Sequence, residues 1–233
     1  MVMQDVTREE GLAEELAFWD GVMRTGGEWP EEIRDRLDPN LPLQEEFRAL
    51  VPNAGPGDTV RILDVGAGPF TTIGKVWPGR RVDIVPNDPL AAEYARLLDK
   101  YGLTPPVRTL YLAGEDTGFL TMAWAKHLRY DIAYARNSLD HAVDPVACIQ
   151  GMLDVVKPGG YVFLQHSVRE ADKQGRQGLH QWNFYADGTA GCKHFFIEGH
   201  DVTTNVSLKF EDRVCYEKVQ QDRWIDVVMR RRP

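Results

Sequence analysis

A run of apolar residues that ends in two glycines is the stretch of this sequence best suited to hold a ligand. In Ile62-Leu63-Asp64-Val65-Gly66-Ala67-Gly68-Pro69 a strand-like segment passes directly into a turn, and glycines at such a turn let a bound molecule approach the backbone closely. Asp88 stands 20 residues beyond Gly68, at the end of the next apolar run. A carboxylate there can accept hydrogen bonds from both hydroxyls of a ribose. The nicotinamide fingerprint needs a third glycine three residues after the second, beside a pyrophosphate, but Thr71 occupies that place. Asp64, two residues before the first glycine, repels a pyrophosphate and suits a ligand that carries a positive charge and an amino group. The expected ligand is a nucleoside without phosphates.

Residues able to move a proton come later in the chain. Asp140-His141 follows the fourth apolar run and His166 the fifth, and open α/β sheets bind ligands at these strand ends. His166 has the ordinary pKa of a general base, although a histidine at a strand end is as often a structural hydrogen-bonding residue. His141 reads as an anchor of its loop. In Gly178-Leu179-His180-Gln181-Trp182-Asn183-Phe184 the aromatics suit a core, whereas His180, Gln181 and Asn183 suit a polar acceptor pocket. His166, His180 and Asp140 are therefore the candidate bases. The acids Asp140, Asp144 and Glu170 form no recognisable ligand triad, so no metal is expected.

These residues need a sheet to position them. Apolar runs at 60–65, 81–85, 107–112, 130–135 and 161–165 alternate with helical stretches, the pattern of a parallel sheet covered on both faces. Asp88-Pro89 and Asp144-Pro145 each predict an N-cap with proline at the first helical position. The second of these helices places Val146, Ile149, Met152, Leu153 and Val156 on one face and ends at Lys157-Pro158-Gly159-Gly160. Before the sheet, Leu12, Leu16, Trp19 and Met23 recur at helical spacing. Shorter helical pieces follow over 31–37 and 43–50. The first helix either closes as a lid hinged at Thr25-Gly26-Gly27 or packs permanently, and Arg24, Arg34 and Arg36 read as solvent-facing. After Ser167 the short, partly alternating segments predict antiparallel strands at the end of the sheet, with a short helix near Asp201.

The 233 residues, 43% hydrophobic and 27% charged, are ordinary for a globular chain. A net charge of −8 has the wrong sign for binding phosphate backbones, so no nucleic acid partner is expected. No run reaches the roughly 20 apolar residues of a membrane span, and the N-terminus has no signal-peptide pattern. The expected location is cytoplasmic, as a monomer or homodimer. Three cysteines without paired spacing suggest neither a disulfide framework nor a zinc site.

Four pieces in order, LDVGAGP at 63–69, NDPLA at 87–91, YDIAYARNSLDHAVDP at 130–145 and VVKPGGYVFLQH at 155–166, resemble the class I S-adenosylmethionine-dependent methyltransferases. The third glycine of that family's first motif is Phe70 here, in the GxGP form that many members share. The resemblance implies an α/β, Rossmann-like, mostly parallel seven-stranded sheet with helices on both faces, a helical N-terminal extension and antiparallel C-terminal strands. It implies one domain over 1–233, with extension 1–58, cofactor core 59–167 and acceptor-pocket segment 168–233. By the same resemblance Asp64, Gly66 and Gly68 line the methionine and sulfonium end and Asp88 holds the ribose. Pro89 or Leu90 lies against adenine, Glu115 or Asp116 accepts from its amine, and Arg136 and Asn137 meet the amino-acid part. The implied reaction is methyl transfer to an oxygen or nitrogen of a natural-product or sugar-like small molecule. A nicotinamide-linked oxidoreductase and a non-catalytic cofactor-binding partner are the alternatives.

Overall fold

The computed structural model describes residues 8–121, 129–189 and 192–233. Its strands are β1 (Thr59–Val65), β2 (Arg81–Asp88), β3 (Leu110–Tyr111), β4 (Tyr130–Arg136), β5 (Val156–Ser167), β6 (Asn183–Thr189), β7 (Cys192–Glu198), β8 (Thr203–Asn205), β9 (Val214–Gln221) and β10 (Trp224–Arg231). The helices are α1 (Arg8–Thr25), α2 (Pro30–Leu37), α3 (Glu45–Leu50), α4 (Ala91–Tyr101), α5 (Pro145–Val155), α6 (Glu170–Lys173) and α7 (Val206–Lys209). No helix among the described residues is long and apolar enough to cross a membrane.

Seven strands form the Rossmann-like sheet in the order β3-β2-β1-β4-β5-β10-β9. The first five pair in parallel, and β10 runs antiparallel to both β5 and β9. The C-terminal segments divide where a single antiparallel continuation was expected: β6, β7 and β8 make a separate three-stranded sheet, and the short helix is α7, after β8 rather than at Asp201. Val156 already belongs to β5, so this strand starts ahead of the Pro158-Gly159-Gly160 segment expected to precede it. The third strand shrinks to two exposed residues.

Both sheet faces are covered, by different means. On one face α5 packs Ile149, Met152 and Leu153 into a core shared with Phe184, Phe195 and Ile197 of the small sheet. On the other, Leu43 and Phe47 join Ile62, Ile132, Tyr134 and Phe163. That second covering replaces a missing element, because the connection from β1 to β2 contains no helix. The N-terminal chain fills the gap: Leu43 N donates to Val76 O at 2.8 Å and Lys75 N to Leu41 O at 2.7 Å. The Gln44 side chain both accepts from Gly74 N (2.9 Å) and donates to Thr72 O (2.8 Å). A side chain at Gly74 would collide with the Pro42 backbone, so glycine permits this docking. Part of the expected extension is thus an integral layer of the sheet.

Candidate active site

At the C-terminal ends of the parallel strands, under α1, lies a cavity of about 880 Å³. Its floor is the turn after β1. Gly66 and Gly68 have φ of +68° and +63°, a conformation that glycine adopts at little cost. A Cβ at Gly66 would come 2.5 Å from Ser138 Cβ, and one at Gly68 would come 3.1 Å from the Trp19 ring. The turn is held by Gly66 N and Ala67 N, which donate to Asn87 O at 2.9 and 3.1 Å.

Asp64 and Asp88 flank this turn. Asp64 Oδ2 accepts from Thr71 Oγ1 at 2.6 Å. Burial raises its pKa to about 6, against the lowering effect of that hydrogen bond and of Arg36 and Arg136. Asp88 is the last residue of β2 and not the expected N-cap: α4 begins at Ala91, and Leu90 occupies the cap position. Its Oδ2 accepts from Gly68 N (3.1 Å) and its Oδ1 from Leu90 N (2.9 Å). It therefore ties the glycine turn to the start of α4. Burial lifts Asp88 to about 6 as well, opposed by those two amide donors. Asp144, by contrast, caps α5 through Val146 N and Ala147 N, as the sequence indicates.

Of the residues expected around the cofactor, Asp64, Gly66, Gly68, Asp88, Pro89, Leu90, Glu115, Arg136 and Asn137 all line the cavity, whereas Asp116 does not. Glu115 Oε1 accepts from Val143 N (2.7 Å) and Asp144 N (3.2 Å). One end of the cavity is cationic: Glu32 pairs with both Arg36 (2.6 Å) and Arg136 (3.2 Å), leaving one guanidinium charge uncompensated within that trio. Arg36 is mostly buried, not solvent-facing, and reaches Phe70 O at 3.4 Å. Its approach to the site is invisible in sequence because Arg24, Arg34 and Arg36 sit in equally polar surroundings. Trp19 and Glu15 of α1 also line the cavity, with Trp19 Nε1 donating to Glu15 at 2.8 Å.

The cavity also carries imidazoles. His180 Nδ1 lies 2.7 Å from Asp140 Oδ2 and 3.1 Å from His141 Nε2. Two bonds join the segments that carry them, Gln181 N to Asp140 O at 3.1 Å and Trp182 Nε1 to Ala142 O at 2.9 Å. Asp140 is buried behind the imidazoles. Burial alone would raise its pKa, yet His141 and His180 hold it below the ordinary value. For His180, burial works downward but the Asp140 carboxylate prevails and raises it. His141 and His180 line the cavity, whereas Asp140 does not.

His166 is the clear correction. It is 1% exposed and outside the cavity lining, and its ring stacks on Phe184 with centroids 4.0 Å apart. Neither ring nitrogen has a hydrogen-bond partner among the described residues. Burial depresses its pKa to about 4, the nearby Asp140 charge only partly opposing this. An imidazole so placed cannot meet an acceptor. A second, shallower hollow lined by Arg176, Glu198 and 199–203 lies elsewhere, and its Arg176–Glu198 pair is already matched at 3.1 Å.

A family model described as "Methyltransferase domain" matches residues 27–200 of this chain. No curated protein sequence matches it. Among solved structures, an O-methyltransferase family protein from Burkholderia thailandensis superposes with a TM-score of 0.53 at 14% identity, over 97% of this chain and 63% of that one. The N-methyltransferase NodS from Bradyrhizobium japonicum WM9, solved with S-adenosyl-L-homocysteine, gives 0.50 at 13% identity over 96% and 98%. At these identities the likeness concerns the fold. The family match over three quarters of the chain decides against nicotinamide chemistry: the chain belongs to the methyltransferase-domain family, as a class I enzyme that uses S-adenosylmethionine.

Proposed function

We propose that this enzyme methylates an oxygen or nitrogen of a small molecule, natural-product-like or sugar-like, that enters along the wall formed by His141, Glu170, Gln174, Gln177 and His180. The observation that carries the reading is one continuous cavity running from the glycine turn to the imidazoles. When bound, S-adenosylmethionine supplies a methyl group already activated on a sulfonium. The residues fit such a ligand: the backbone of Gly66 and Gly68 borders the cavity, Asp64 offers an anion to the sulfonium and amino end, and Arg36 and Arg136 offer charge to a carboxylate. Asp88 and the Pro89-Leu90 pair serve the ribose and adenine. Glu115, whose Oε1 already receives two amide donors, would accept from the adenine amine through its remaining capacity.

Because the donor is activated, the protein's work is chiefly alignment and exclusion of water. The acceptor's proton goes to His180. Its Nδ1 hydrogen is held by Asp140, which fixes the tautomer and leaves Nε2 as the accepting nitrogen. The acidic and amide groups of the wall suit an acceptor rich in hydroxyl or amine hydrogens. The test is transfer of a labelled methyl group to a panel of polyhydroxy and amino small molecules. His180→Ala should lower turnover roughly 100-fold or more while retaining cofactor; undiminished turnover would return the chemistry to proximity alone.

A further inference from the structure

We propose that Asp140, His141 and His180 form a binding site for one first-row divalent transition-metal ion, zinc-like in its preferences, at the acceptor end of the cavity. The inference starts from a triangle. Asp140 Oδ2 and His180 Nδ1 are 2.7 Å apart, His180 Nδ1 and His141 Nε2 3.1 Å, and His141 Nε2 and Asp140 Oδ2 3.4 Å. Each imidazole nitrogen has a single in-plane site, filled by a proton or a lone pair. One shared proton makes one edge of the triangle and leaves the others unmade. Two N–H groups aimed at the same carboxylate oxygen crowd their hydrogens across the 3.1 Å edge. One cation satisfies all three atoms together.

The dimensions agree. Zinc binds imidazole nitrogen and carboxylate oxygen at about 2.0–2.1 Å. From the three edges, a point at that distance from every atom lies about 1 Å out of their plane, between the heights expected over a tetrahedral and an octahedral face. The surroundings agree as well. Asp140 is 1% exposed and brings a buried negative charge. The other nitrogen of His141 lies 3.9 Å from Glu15 Oε2, beyond hydrogen-bond distance, so Glu15 adds a second nearby negative charge only. Two nitrogen ligands select zinc, iron or cobalt over magnesium or calcium. The sequence conceals the site because His180 stands 40 residues beyond Asp140 and 39 beyond His141.

The ion's role rests on the proposed function, although its binding does not. Ligation through Nδ1 would put the proton of His180 on Nε2, so His180 would serve as the base described above only while the ion is absent. Held by Asp140, His141 and His180, the ion would lower the pKa of an acceptor hydroxyl enough for its proton to pass to solvent water.

The test is calorimetric titration of metal-stripped protein with Zn²⁺, without cofactor or acceptor, together with the visible spectrum of the Co²⁺-loaded protein. The expected result is one ion per chain with a Kd of about 1 μM or tighter. His141→Ala should weaken it by roughly 100-fold or more, with His200→Ala, in the exposed His200–Asp201 pair, unchanged. Should His141→Ala fail to fold, the wild-type Co²⁺ spectrum decides, since imidazole and carboxylate ligands give d–d bands without a thiolate charge-transfer band. Absence of one-to-one binding, full retention in a folded His141→Ala, or a thiolate band would overturn the proposal. Absence of methyl transfer alone would contradict only the functional reading.

Discussion

Gly66→Ala tests the glycine turn where space is tightest. Two separable costs follow from the structure. The residue must hold φ near +68°, which costs an alanine about 1–2 kcal/mol. Its new Cβ would lie 2.5 Å from Ser138 Cβ and 2.6 Å from Ser138 Oγ, so Ser138 must move and give up its 2.9 Å bond to Val65 O, worth about 0.5–1.5 kcal/mol. The sum is about 1.5–3.5 kcal/mol, read as a lower midpoint in urea denaturation at unchanged slope. In a Ser138→Gly background the overlap disappears and only the backbone cost remains, so the penalty of Gly66→Ala should fall to about half. A Gly66→Ala protein within about 0.5 kcal/mol of wild type would refute the reasoning, as would an equal penalty in both backgrounds.

Asp88→Ala removes the acceptor for Gly68 N and Leu90 N and should weaken cofactor binding by about 1.5–3 kcal/mol; an unchanged calorimetric Kd would dismiss the ribose role. His166→Leu should preserve turnover and shift stability by less than about 1.5 kcal/mol, since a buried imidazole without partners is exchanged for a similar apolar volume; lost turnover in a folded variant would restore His166 as a base. Asp64 is raised from 3.8 to about 6 in the folded protein, so its contribution to stability is present below pH 4 and lost as pH rises through 6. Asp64→Asn should therefore gain on wild type as pH rises from 4 to 7, by at most about 3 kcal/mol, and a pH-independent difference would contradict this burial effect.

The strand cores were legible because runs such as Val162 to Leu164 are apolar on both faces, as a doubly covered parallel sheet demands. Asp144-Pro145 was legible for a local reason, its cap being made by its own next residues. Asp88-Pro89 offers the same local signal, but its carboxylate is drawn to Gly68 N as well and α4 starts later, a tertiary bond outweighing a local one. The substitution of Leu43 and Phe47 for a crossover helix follows from docking on Gly74 and Val76, which no periodicity records. His166 was misplaced by one residue's worth of pleat: Gln165 bonds Tyr134 Oη at 2.5 Å and Asp226 at 3.2 Å on one face, while His166 turns to Phe184 on the other. A strand buried on both sides gives no pattern to say which face meets the ligand. The imidazole cluster needs the fold itself, since His180 reaches Asp140 only after the chain has passed through α5 and β5.

The central claim is that the cavity over the Gly66-Ala67-Gly68 turn is the cofactor site. Calorimetric titration with S-adenosylhomocysteine tests it most directly, run on wild type, Asp88→Ala and Gly66→Ala, with NAD as the competing ligand. The account predicts one-to-one binding to wild type, weakened in both variants, and no heat from NAD. Equal S-adenosylhomocysteine affinity in all three proteins, or saturable NAD binding in its place, would contradict it.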